Sequence, residues 1–107
     1  MQAAYGPGGM DVLTDDMAGA FVVVTEDGCE FRVDLDERVV RTTGRGGSSP
    51  FARGEGEIVV LIELATCRVG EPMVLFIDLL VPGVWFTRRT TEPVERILRL
   101  SSGSLKA

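Results

Sequence analysis

The residues that could do chemistry in this chain are few. There is no histidine, so the side chain that most often serves as general base near neutral pH is missing. Acid–base work would fall to carboxylates, and Glu63 and Asp78 stand out because each interrupts an apolar run. A carboxylate among apolar groups is costly unless paired. Two such groups facing each other across a cleft are what glycoside hydrolysis needs. The plainer reading has each facing solvent on its strand, or pairing with an arginine such as Arg88. No G-x-S-x-G elbow is present to present a nucleophile. Cys29 and Cys67 belong to no CxxC or CxH unit, and both lie in strand-like segments, where cysteine acts as a small buried apolar residue. Asp34, Asp36 and Glu37 offer oxygens of the kind a hard cation takes, but without the spacing of an EF-hand, and turn chemistry accounts for them. The chain therefore reads as non-enzymatic, with no catalytic residues, no metal ligands and no cofactor.

Two groups of residues suit binding. In the stretch from Arg41 to Gly56, Arg41, Arg45 and Arg53 stand among glycines and serines. Glycine amides and guanidinium forks together suit an anion such as a nucleotide phosphate. The P-loop pattern is absent, and a linker whose arginines aid solubility is the competing account. Further on, Trp85-Phe86 is followed by Arg88-Arg89. Tryptophan and arginine are enriched at the energetic centres of protein interfaces, so Trp85, Arg88 and Arg89 are the candidates for a partner surface. The competing account packs both aromatics in the core.

These residues must be positioned by strands. Ala20 to Thr25 is β-branched and aromatic, and Glu26-Asp27-Gly28 is a hairpin signal. Cys29, Phe31, Val33 and Leu35 then alternate with Glu30, Arg32 and Asp34, the pattern of a half-buried antiparallel strand. With Arg38 to Thr43, residues 20–43 form a three-stranded meander. A glycine-rich loop covers 44–56. Glu57 to Arg68 and Met73 to Leu80 are strands apolar on both faces, apart from Glu63 and Asp78. Val81-Pro82-Gly83 is a turn, and Val84 to Thr90 is a further strand, so alternation sends Trp85 and Phe86 to opposite faces. Residues 93–100 fit a closing strand better than the alternative, a short C-terminal helix. The expected fold class is all-β, a small barrel or two-sheet sandwich of six to seven mostly antiparallel strands. It spans 20–100 as a single domain, between a flexible segment at 1–19 and a tail at 101–107. Met10 and Met17 are alternative starting points.

Size and charge narrow the function. One domain fits 107 residues. No apolar run is long enough to span a bilayer, and the N-terminus lacks the layout of a signal peptide, so the expectation is a cytoplasmic protein with no membrane association. The net charge is −5, and the excess lies in the first half. A surface of that sign repels phosphate backbones and argues against nucleic acid. About 70 ordered residues make a modest core. Two strands apolar on both faces then need either a tightly closed barrel or a second molecule over the outer face.

Three segments, Thr25–Leu35 with its T-x-x-G-x-x-F-x-x-D-L spacing, Val69–Met73 (VGEPM) and Arg89–Val94 (RTTEPV), resemble those of short uncharacterised proteins of actinobacteria and their phages. That resemblance covers about half of the chain and implies fold and origin only. The expected function is a protein-binding module that self-associates as a homodimer or higher oligomer, acts on a protein partner, or both. Its phage or mobile-element form would be an accessory protein that binds a host protein. The alternatives are a small-ligand binder that uses the Arg/Gly loop, and a structural subunit of a larger assembly.

Overall fold

The computed structural model describes residues 9–42 and 58–100. The first eight residues, the glycine-rich loop at 44–56 and the tail at 101–107 lie outside them. The described chain is all strand and carries no helix: β1 (Gly9–Met10), β2 (Ala20–Thr25), β3 (Glu30–Asp34), β4 (Val39–Thr42), β5 (Ile58–Thr66), β6 (Pro72–Asp78) and β7 (Thr87–Arg99). The six longer strands form one closed antiparallel sheet in the order β7-β2-β3-β4-β5-β6, and β6 pairs back onto β7. The two-residue β1 is added on β7.

The meander expected over residues 20–43 is present as β2, β3 and β4. Gly28, at φ +91°, closes the first hairpin in a conformation that a side chain would strain. Val23, Phe31, Val33 and Val40 point inward and are fully buried.

β7 is the seam. Its first half pairs with β6 and its second half with β2. The strand changes partners at Pro93, which has no amide hydrogen to give a ladder, and pairing slips there on both sides. The Pro93 carbonyl accepts from Glu26 N at 2.9 Å, and Val94 N donates to Glu71 O at 2.9 Å. A proline at a bend is compatible with one continuous strand, so the helix alternative for 93–100 does not hold.

β5 carries a second irregularity. Val59 and Leu61 face the core, the register slips between Leu61 and Glu63, and Leu64 then faces the core too. Strict alternation would have grouped Leu64 with Ile58, Val60 and Ile62, and the bulge separates it from them.

Residues 11–16, expected to be irregular and solvated, run beside β5 instead. Leu13 is fully buried, and its amide donates to Cys67 O at 2.9 Å. None of the described elements is a helix long and apolar enough to cross a membrane.

Candidate functional site

The strand expected over Val84–Thr90 begins only at Thr87. Leu80 has φ 60°, Gly83 has φ 85°, and Val84 N donates to Val81 O at 3.0 Å. These turns reverse the chain and delay pairing until Thr87. Trp85 and Phe86 are therefore loop residues and do not alternate between faces. Trp85 is 85% exposed and Phe86 54%, so neither is in the core. The Phe86 ring meets the Phe76 ring edge-on, with centroids 5.5 Å apart, which lays the loop against the outer face of β6.

That outer face is apolar. Ile58, Val60 and Ile62 follow one another along β5, all large and all exposed. Ile62, Glu63, Phe76 and Phe86 line a shallow notch of about 160 Å³. With Leu80, Val81 and Val84, also exposed, they make a patch of the kind that marks interaction sites. The expectation that both faces of β5 are covered holds only for the inner face within one chain.

The two arginines of the partner-surface expectation separate. Arg88 is exposed and pairs across the ladder with Phe76 on the outer face. Arg89 pairs with Leu75, which is fully buried, so it belongs to the inner row with Leu64 and Leu75. Its Nε is shielded from solvent and has no hydrogen-bond partner. The pleat turns Arg89 away from the face that carries Arg88.

Of the anion candidates, Arg41 is exposed on β4, opposite Arg32 on β3 and Ile58 on β5. Arg45 and Arg53 lie outside the described residues.

The carboxylates divide similarly. Glu63 pairs with Phe76 and is exposed; Asp78 pairs with Val60, and its Oδ1 accepts from Leu80 N at 2.7 Å. Both stand on the outer face, the solvent-facing arrangement. Asp34 Oδ1 accepts from the amides of Asp36 and Glu37 at 3.0 and 2.8 Å, and Asp36 Oδ1 accepts from Gly19 N at 3.1 Å. These acids are engaged in turn hydrogen bonds.

Both cysteines are buried thiols. Burial pushes the Cys67 thiol up to about 12, which leaves almost no thiolate at neutral pH. Cys29 Sγ lies 3.5 Å from Asp27 Oδ2. The Asp27 carboxyl is held below its ordinary value, mainly by the Thr25 hydroxyl it accepts from.

One polar cluster had no signal in the sequence. Arg38 Nη2 lies 2.9 Å from Asp15 Oδ1 and 2.9 Å from Ile62 O, and Leu64 N donates to Asp15 Oδ1 at 2.8 Å. Burial is the largest influence on Asp15 and pulls its pKa upward, but the Leu64 amide and the Arg38 guanidinium together outweigh it and hold the carboxyl below its ordinary value. Arg38 turns into place with φ 59°, a conformation that spacing alone does not reveal. Compared with family models, curated proteins and solved structures, the chain finds no match in any of the three.

Proposed function

We propose that this chain is a non-enzymatic protein-binding module whose docking surface is the outer face of β5 and β6 together with the loop at 79–86. One observation carries this reading: a closed sheet with a buried core leaves Ile58, Val60 and Ile62 of β5 exposed on the outside, with an almost fully exposed tryptophan in the loop between β6 and β7. Closure has already satisfied the backbone of the paired strands, so the outer residues of β5 are not needed for the core of one chain. Apolar side chains kept in water gain about 25 cal/mol for each Å² that a partner removes from it. Tryptophan presents a large area at little entropic cost, and Arg88 supplies a charged rim at the same face.

The test places a photo-crosslinking aromatic at position 85, Trp85→p-benzoylphenylalanine, in the full chain inside cells. The control is the same residue at exposed Arg41 on β4. The expected result is a crosslinked polypeptide from position 85 and none from position 41. Equal labelling at both positions would overturn the reading.

A further inference from the structure

Three residues stand level across the outer face: Glu63 on β5, Phe76 on β6 and Arg88 on β7. Neighbouring strands lie about 4.8 Å apart, so an acid and a base flank one aromatic, roughly 10 Å from each other. They do not pair within the chain: among the described residues the ion pair is Arg38 with Asp15. One strand row therefore reads acid, aromatic, base.

Such a row is complementary to itself in one orientation. Two copies laid face to face about a two-fold axis along the row would set Glu63 over Glu63 and Arg88 over Arg88. A two-fold axis running along β6 instead sets Glu63 of each copy over Arg88 of the other, twice, with the two Phe76–Phe86 ring pairs at the centre. The same rotation treats the rest of the patch consistently. Thr87 is level with Ile77, and Ile77 with Leu61, and Phe86, just before Thr87, packs on Phe76 beside Ile62 and Glu63. The Phe86 ring of each copy then approaches that of the other near the axis, with the exposed Trp85 next to it in the chain. We propose that the partner of this surface is a second copy of the same chain, docked face to face about a two-fold axis parallel to β6, with reciprocal Glu63–Arg88 pairs. The inference rests on the docking reading above and names its occupant. It is an isologous contact, which closes at two copies.

The experiment uses the purified full chain, followed by sedimentation and by intrinsic fluorescence from low micromolar to near-millimolar concentration. Trp85 is the chain's one tryptophan, so its emission reports this surface directly. The expected result is twice the chain mass at high concentration, with Trp85 emission moving to the blue as mass rises. Arg88→Glu and Glu63→Arg each place like charges across the axis and weaken association by about tenfold or more. The double variant restores opposite pairs and recovers most of that loss. Both positions are exposed, and near-ultraviolet circular dichroism checks that each variant keeps the fold.

A monomer at every concentration overturns the inference. So does a dimer indifferent to both charge reversals, because it uses another face or another axis. If the purified chain is monomeric while position 85 crosslinks to a different polypeptide in cells, self-docking fails and the docking surface stands. If position 85 labels no better than position 41, the docking surface fails as well.

Discussion

Arg88 and Arg89 are adjacent in sequence and opposite in consequence. Arg88 sits on a solvent face beside Phe76, whereas Arg89 pairs with the buried Leu75 and has its Nε shielded and unpartnered. A buried donor without an acceptor costs its desolvation and returns nothing. Arg89→Met keeps the length of the stem and removes the donor. It should leave stability unchanged or raise it by up to about 1–2 kcal/mol in urea titration, with no effect on association. A loss of stability above that size would show that the guanidinium has a partner. The sequence identified this pair as chemically important but assigned both residues to one role. A period of two was readable, but the phase was not, because it depends on where β7 begins. That point is set by the turns at Leu80 and Gly83, whose positive φ values come from the folded chain.

At the scale of the elements, most of the fold was legible. Alternation over Cys29–Leu35, the Asp-Gly turn and the doubly apolar runs named β2 to β6 and their antiparallel order. What was not legible is how the far end of β5 is protected. β4 pairs with β5 only through Arg41↔Ile58, Val40↔Val59 and Val39↔Val60, and an unpaired strand edge invites association. Residues 11–15 cover it: Val12 bridges Arg68, Leu13 N binds Cys67 O, and the Asp15 carboxylate accepts from Leu64 N. No periodic pattern announces such a strap, since it is mostly single contacts from side chains and backbone.

Its electrostatic part can be tested. The folded pKa of Asp15 lies below its ordinary 3.8, so its contribution is complete above that value and is lost as pH falls through the lower folded value. The side chains of Asp15 and Arg38 are about one-third exposed, 38% and 34%, so solvent screening keeps the contribution small. Asp15→Ala should destabilise by about 1 kcal/mol at neutral pH. In denaturant titrations repeated down the pH scale, the gap between the variant and the parent chain should narrow below pH 3.8. A gap that is constant with pH would mean that the carboxylate's charge is not involved.

For the whole molecule, the unresolved balance lies between a small core and a sheet with apolar residues on both sides. The core is one cluster in which Leu13, Phe21, Phe31, Met73, Leu75, Ile77 and Ile97 are all fully buried. Nothing inside asks for Ile58, Val60 or Ile62 to be large and apolar, which is what the proposed contact would use. A two-fold axis along β6 adds one opposing element to that contact. Asp78 lies on the axis strand, two residues beyond Phe76, so the two Asp78 carboxylates would approach each other across the proposed interface. Each is partly turned to its own backbone by the Leu80 amide, which lessens the repulsion without removing it. Asp78→Asn keeps an acceptor for Leu80 N and deletes both charges. It should tighten the dimer by roughly three- to tenfold at low salt. The gain should shrink as salt screens the repulsion in the parent chain. Isotherms measured at two salt concentrations, with Trp85 emission as the signal, check this directly. An axis along the row would oppose Glu63 to Glu63 and Arg88 to Arg88. In that case each single charge reversal would only exchange one pair of like charges for another and leave association little changed, whereas an axis along β6 predicts a loss of about tenfold or more. The Asp78 variant and the single charge reversals together therefore fix the direction of the axis as well as the existence of the dimer.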